Sequence, residues 1–154
     1  MVKLVCRTLL FVLVAATVAT AADTPEPARA PVDRELADAR ARIAAKDWTA
    51  ARDVLQKAVV RDPRNADYHN LLAYSIRHTA NPDMDLVFKH YGEALRLDPK
   101  HKGAHEYIGE AYLMVGNLAK AKEHLAALDK ICVFSCEEYR DLKKAVAQYE
   151  ALKK

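Results

Sequence analysis

The sequence predicts an all-α fold made of stacked helix–turn–helix units, and a repeat near 34 residues is the main observation behind this prediction. Ala39 is followed by Ala73 at 34 residues, whereas Pro63 is followed by Pro99 at 36. One two-residue insertion within residues 77–86 explains both spacings. Glycine is scarce and Val and Ile are scattered, so no segment has the pattern of a strand. A period of this size is typical of helical hairpins that bury their apolar faces only against their neighbours.

Seven segments carry apolar residues three and four positions apart, which is the spacing of a helix with one buried face. Thr49 is the expected N-cap of the second helix. Asp62-Pro63 and Asp98-Pro99 should end the second and fourth helices, because the residue before a proline avoids helical angles. Gly116-Asn117 is the expected turn between the fifth and sixth. The predicted helices span about 33–46, 49–61, 66–78, 83–97, 102–115, 118–131 and 136–152.

The N-terminal segment 1–22 has the layout of a secretory signal peptide. Lys3 and Arg7 provide a basic start, an apolar core follows, and small residues precede a cleavage site near Ala21 or Ala22. The apolar run is shorter than the about 20 residues that cross a bilayer. We therefore expect cleavage, no stable membrane insertion afterwards, and a periplasmic or secreted bacterial protein.

Residues 23–32 are expected to form a disordered leader, because three prolines interrupt them. The chain has 24 Lys and Arg, and without Lys3 and Arg7 there remain 22 basic residues against 21 acidic ones, a net charge of +1. No Lys/Arg block creates a one-sided field. This charge pattern indicates neither a nucleic-acid partner nor an anionic membrane surface.

The repeated residues resemble the tetratricopeptide repeat (TPR) family. The resemblance implies a right-handed α-α superhelix, a TPR solenoid, with repeats at 33–65, 66–101 and 102–131 and a C-terminal capping helix within 132–154. It implies that small residues such as Gly109 let the two helices of a repeat approach closely. The matching residues are Trp48, Ala51, Ala58 and Asp62-Pro63; Leu72-Ala73, Ala94-Leu95 and Leu97-Asp98-Pro99; and Tyr107, Gly109, Tyr112, Gly116-Asn117 and Ala121.

The resemblance also implies a partner site, because the leading helices of such repeats line a concave groove that holds a peptide. Tyr74 and Arg77 are the expected anchors, since Tyr and Arg are frequent hot-spot residues. Met114 would add an adaptable apolar contact. The implied groove positions are Leu36, Arg40, Ile43, Asp67, Asn70, Tyr74, Arg77, His78, Glu106, Glu110, Leu113 and Met114.

Two cysteines, Cys132 and Cys136, lie at the corner between the last two predicted helices. Ser135 and Glu138 have the spacing of a capping box, which predicts Ser135 as the N-cap of the last helix. In a secreted chain with two remaining thiols, a structural disulfide is favoured, and its short loop should contribute roughly 2 kcal/mol. A redox-active pair and a copper or zinc site remain alternatives, although the spacing is not Cys-x-x-Cys and no histidine is close in sequence.

Histidines and carboxylates offer little sign of catalysis. His101, His105 and Glu106 could form a small metal site, but packing is favoured because His69 has the same place in the second repeat as His105. The remaining His78, His90 and His124 show no pattern in this interpretation. There is no Gly-rich phosphate loop, Gly-x-Ser-x-Gly elbow or His-Glu-x-x-His motif. We predict no enzyme activity, no metal and no cofactor.

Together these patterns predict a non-catalytic protein-interaction module, or adaptor, that binds a peptide or protein segment in its groove in the periplasm. The alternative is a thiol-redox or metal-handling envelope factor that uses Cys132 and Cys136. Self-association through the convex face or the last helix is a further alternative.

Overall fold

The computed structural model describes residues 33–153 and shows seven α-helices and no strand in that range. The predicted signal peptide and leader lie outside the described residues. The fold class is confirmed: the helices form an α-helical repeat superhelix. The helices are α1 (Arg34–Ala44), α2 (Trp48–Arg61), α3 (Ala66–Arg77), α4 (Met84–Leu97), α5 (Lys102–Met114), α6 (Leu118–Ile131) and α7 (Glu137–Leu152).

Successive helices pack as hairpins, α1 with α2, α3 with α4 and α5 with α6. The leading helices α1, α3 and α5 also lie beside one another, and α7 packs against both α5 and α6. Two apolar clusters result. One joins the first two repeats to α5 around Leu55 and Tyr91, and the other joins the third repeat to α7 around Leu128 and Leu142. All four of these side chains are fully buried.

Polar side chains begin six of the helices, and two predicted caps are wrong. The cap of α2 is Asp47, whose carboxylate accepts a hydrogen bond from the Ala50 amide, so Thr49 lies inside the helix. The N-cap of α7 is Cys136, which makes no side-chain capping bond. Ser135 instead has a φ of 25°, in the left-handed region, and the predicted capping box is not formed. Sequence spacing alone did not fix these caps, because each depends on where the preceding turn ends.

The turns inside the first and third repeats have the same hydrogen-bond pattern, with one residue in the left-handed conformation. In the first, Lys46 has a φ of 58° and donates its amide proton to the Ile43 carbonyl. In the third, Gly116 has a φ of 81° and donates to the Leu113 carbonyl. The second repeat has a longer connection between Arg77 and Met84, which contains the predicted insertion.

Gly109 sets how closely the capping helix approaches the third repeat. A Cβ atom at this position would lie 2.6 Å from Cδ2 of Leu142 on α7. The small residue thus makes room for α7, which is a different contact from the α5–α6 approach that the resemblance implied for it. The α7 helix can therefore extend the row of leading helices.

Candidate protein-binding site

The exposed sides of α1, α3, α5 and α7 form one surface, which we call the leading-helix face. Its centre is an aromatic cluster of half-buried side chains. The Tyr74 ring lies 4.2 Å from the His78 ring and 4.6 Å from the Tyr107 ring, measured between centroids. Trp48 of α2 extends the cluster, with its ring centroid 4.7 Å from that of His78. Met114, 55% exposed, lies at the carboxyl end of α5 on the same side as Glu110.

Arg77 lies beneath this cluster rather than on it. Its side chain is 7% exposed, and one guanidinium nitrogen donates to Oε2 of Glu110 at 2.8 Å. The guanidinium carbon is 5.4 Å from the centre of the Tyr74 ring and 5.9 Å from that of Tyr107, which are cation–π distances. Arg77 therefore holds the two rings and Glu110 in place.

The amino-terminal end of the face carries paired charges. Arg40 lies 3.7 Å from Asp67, and Nε2 of His101 lies 3.3 Å from the same carboxylate. The other ring nitrogen of His101 accepts from the Ala104 amide, so Nε2 carries the proton. The His101 hydrogen bond, aided by Arg40, lowers the pKa of Asp67. This carboxylate is thus ionised and already has partners.

The carboxyl-terminal end carries carboxylates without enough cations to pair them. Glu106 of α5 is 8% exposed, and no side chain in the described part of the chain makes a hydrogen bond or ion pair with it. Burial, reinforced by Glu110, Asp141 and Glu138, raises the pKa of Glu106 to about 8. The carboxyl group is therefore largely neutral at pH 7.

Two histidine pairs lie between the paired helices of the second and third repeats, and sequence reasoning missed them. Nδ1 of His69 lies 3.0 Å from Nδ1 of His90, and His105 and His124 repeat this arrangement at 3.0 Å. Nε2 of His69 faces the Pro63 carbonyl at 3.0 Å, so this nitrogen must donate. His90 then donates from its Nδ1 to His69.

A usable signal for these pairs was present in the sequence. His69 and His105 are 36 residues apart and His90 and His124 are 34 apart, which are the two registers of the repeat. The expectation that His90 and His124 follow no pattern is wrong. Packing of His105 is found as expected, since it is buried against His124.

The predicted groove residues divide into exposed and buried sets. Tyr74, His78 and Glu110 are half-buried, while Arg40 and Met114 are exposed. Asn70 is 3% exposed, and Arg77 and Glu106 are buried as well, so these three offer little open surface, and their part in binding stays a prediction. Helical spacing gave the correct side of the helix, but the depth of each side chain depends on the neighbouring helix.

The sulfur atoms of Cys132 and Cys136 lie at bonding distance, with their Cα atoms 5.6 Å apart. The short loop between them exposes Val133 and Phe134, the latter by 92%. No group of three or more His, Cys, Asp or Glu side chains within residues 33–153 is arranged to hold a metal ion. The helices of this range also include none that combines the length and apolar character of a membrane span.

No protein-family model matches the sequence, and no curated protein does either. Solved structures do match. The type III secretion translocator chaperone SycD of Yersinia enterocolitica has a TM-score of 0.66 at 19% identity, over 79% of this chain and 82% of SycD. The TPR domain of Sgt2 from Aspergillus fumigatus has a TM-score of 0.67 at 20% identity, over 79% of this chain and 80% of that domain.

The TPR2B domain of yeast Sti1, solved as a complex with pHsp70, has a TM-score of 0.66 at 17% identity, over 78% of this chain and 99% of that domain. These identities are low, so the likeness is one of fold. The chain has the tetratricopeptide-repeat fold, and the resemblance found in its sequence is confirmed at that level.

Proposed function

We propose that this protein is a non-catalytic module that binds a peptide or protein segment on its leading-helix face. The half-open aromatic cluster of Trp48, Tyr74, His78 and Tyr107 is the observation that carries the proposal. Aromatic residues and methionine are enriched at protein interfaces, and Met114 is exposed nearby. Arg77 fixes two of the rings from below, so the surface is already ordered before a partner arrives.

Similar structures support this proposal. SycD has been solved in complex with a peptide of the translocator YopD, at a TM-score of 0.64, and the Sti1 domain has been solved with pHsp70. Proteins of this fold have therefore been solved together with a bound partner. The partner of the present chain is proposed to be a peptide or a protein segment of the same kind.

Site-specific crosslinking tests the proposal directly. A photo-reactive amino acid replaces Tyr74 in the full chain, and the matched control carries it at Gln56, an exposed position on α2. We expect protein crosslinks in the native host from position 74 and few from position 56. The double variant Tyr74→Ala with Met114→Ala should bind the partner more weakly than the wild type and have the same helix content. Equal crosslinking from both positions would refute the binding face.

The compartment belongs to the proposal as well: a bacterial periplasmic or secreted protein whose Cys132 and Cys136 form a structural bridge. The signal-peptide layout supports it, as does the bonding distance between the two sulfurs. Thiol labelling of the native full chain should find these two cysteines unreactive until a reductant is added. Free thiols on the cell-exported protein would contradict the bridge.

A thiol-redox factor is the second candidate, favoured by one observation. Cys136 is the first residue of the turn that starts α7, and a helix amino terminus lowers the pKa of a thiol. A reduction potential near that of the glutathione pool would support this role, whereas a much lower potential would support the structural bridge.

A further inference from the structure

The cleft between α5 and α7 gathers more acidic side chains than basic ones on the leading-helix face. Two adjoining cavities, of about 200 Å³ and 350 Å³, share Glu106 and Asp141 in their linings. Since a water molecule occupies about 30 Å³, each cavity has room for a side-chain head group. The remaining carboxylates in the linings are Glu110, Glu137 and Glu138.

The cations near this cleft do not balance its carboxylates. Arg77 already forms an ion pair with Glu110 at 2.8 Å. Lys144 lines the larger cavity, but it is exposed and forms no ion pair within residues 33–153. Glu137 and Glu138 have an ordinary structural reason to be acidic, because they lie in the first turn of α7 and favour its dipole. Asp141 is an ordinary exposed acid on α7, so Glu106 is the member of this group without such a reason.

Glu106 is the second, independent sign of a ligand. It is more than nine-tenths buried, it lines both cavities, and it has no hydrogen-bonding partner in the described part of the chain. Its carboxyl oxygens do not belong to the fully enclosed side-chain atoms that lack a partner within residues 33–153, which are Asn70 Oδ1, Arg77 Nε and Tyr91 Oη, so they open onto the cleft. A carboxyl group that opens onto a cleft and has no protein partner is available to a ligand that enters it.

We propose that the α5–α7 cleft is a subsite for a basic side chain, an arginine or a lysine, of the segment that binds the leading-helix face. The inference rests on the proposed function, since it names one feature of that segment. A long apolar stem could cross the aromatic cluster while its charged head enters between Glu106 and Asp141. The Tyr107 ring, which lines the smaller cavity, offers a guanidinium a surface for stacking.

The charge state of the cleft supports this assignment. Burial, followed by Glu110, Asp141 and Glu138, raises the pKa of Glu106, and Arg77 opposes this only partly. A bound ammonium or guanidinium group would reverse this balance and favour the ionised carboxylate. Binding at pH 7 should therefore release a proton from Glu106 to the buffer.

The test uses N-acetyl-arginine amide and N-acetyl-lysine amide as probes, with the uncharged N-acetyl-citrulline amide as a control. Amide NMR signals of the full chain are followed during each titration. We expect saturable shifts around Glu106, Tyr107 and Asp141 with the two cationic probes and not with citrulline. A larger response to arginine than to lysine would identify guanidinium as the preferred head group, and the reverse order would identify ammonium.

Two variants complete the test. Asp141→Asn changes an exposed residue and should leave the fold intact. Its combination with Glu106→Gln should weaken binding of the cationic probes at least tenfold. The matched control combines Asp53→Asn with Asp129→Asn, both exposed on trailing helices, and should leave binding unchanged. No shifts at the cleft, an equal response to citrulline, or unchanged binding by the cleft variants would overturn the subsite.

The crosslinking and probe experiments together distinguish a failure of the subsite from a failure of the proposed function. Crosslinks from position 74 together with no cationic preference would retain the binding face and remove the subsite. Binding of the cationic probes without any crosslinked protein would retain the subsite and remove the binding face.

Discussion

The first and third repeats place different residues at the same position of their leading helices. Leu36 in α1 and Glu106 in α5 occupy equivalent places, and Asn70 in α3 lies between them. All three are at least nine-tenths buried. The leucine gains free energy from burial, whereas the carboxyl group loses hydration and finds no partner within residues 33–153. Burial of Glu106 therefore gives no gain comparable to the packing of Leu36, which is why we assign Glu106 a role in binding.

The largest expected effect comes from moving the carboxyl group into the first repeat. Leu36→Glu buries a charge against an apolar core and should destabilise the protein by about 3–5 kcal/mol at pH 8. Urea unfolding measures the change. Ala37→Glu, one residue away and exposed, should stay within about 0.5 kcal/mol of the wild type. Equal costs at the two positions would show that the first repeat has no dry core there.

The α7 helix lies opposite Glu106 and packs against the third repeat, and Leu142 anchors it there. Leu142 is fully buried against α5, so Leu142→Ala should destabilise the protein by about 3 kcal/mol and open the acidic cleft. Leu152→Ala, at an exposed leucine of the same helix, should have almost no effect. Hydrogen exchange should show α7 opening before α1 in the Leu142 variant. Loss of hydrogen-exchange protection in α1 before α7 would contradict the expectation that Leu142 stabilises α7 on the third repeat.

Glu106 should make stability fall as pH rises. Because its pKa is about 8 in the fold and 4.5 ordinarily, its favourable contribution is complete below pH 4.5 and is lost on approaching pH 8. Glu106→Gln keeps a neutral group and should flatten this part of the profile. Between pH 5 and pH 8 we expect the wild type to lose about 1–2 kcal/mol relative to the variant, after solvent screening. Parallel profiles would reject the shifted pKa.

The histidine pairs should act at the acid end, and only in the second and third repeats. Burial and the partner imidazole lower the pKa values of His90 and His124 to about 4 from 6.5. Their contribution is present above pH 6.5 and is lost as pH falls toward 4. His90→Asn with His124→Asn should flatten this acid limb by about 1 kcal/mol per pair. Unfolding free energies measured between pH 4 and pH 7 give the slope of stability against pH for the wild type and the double variant. An unchanged slope would contradict the lowered pKa values of His90 and His124.

The smallest effect concerns the matching turns. Lys46 adopts a left-handed conformation that Gly116 adopts without strain. Lys46→Gly should therefore stabilise the protein by about 0.5–1 kcal/mol, while Gly116→Ala should destabilise it by about 1 kcal/mol. Thermal unfolding of both variants measures the difference. A loss of stability in the Lys46 variant would show that its turn depends on the lysine side chain.

Much of the fold could be predicted from the sequence because the repeat spacing and the prolines that end helices are properties of the local sequence. Asp62-Pro63 and Asp98-Pro99 follow the ends of α2 and α4 as predicted, and the insertion lies between α3 and α4. The predicted Ser135 cap failed because its backbone conformation depends on how the Cys132–Cys136 loop closes.

The candidate site was less predictable because it depends on contacts between helices. The side of the helix that carries Tyr74 followed from spacing, but the burial of Arg77 depends on Glu110 and Tyr107 from the next repeat. The unpaired state of Glu106 depends on α7, whose residues no repeat pattern relates to α5. The histidine pairs could have been found from the two registers alone.

The pKa of Glu106 tests the central comparison most directly. Carbon-13 NMR of the side-chain carboxyl group, assigned by its loss in Glu106→Gln, follows its titration in the full chain. The account predicts an apparent pKa of about 8, because burial and neighbouring carboxylates disfavour the ionised form. A value near 4.5 would mean that water or an unseen cation already satisfies the carboxylate, and the cleft would not await a basic ligand.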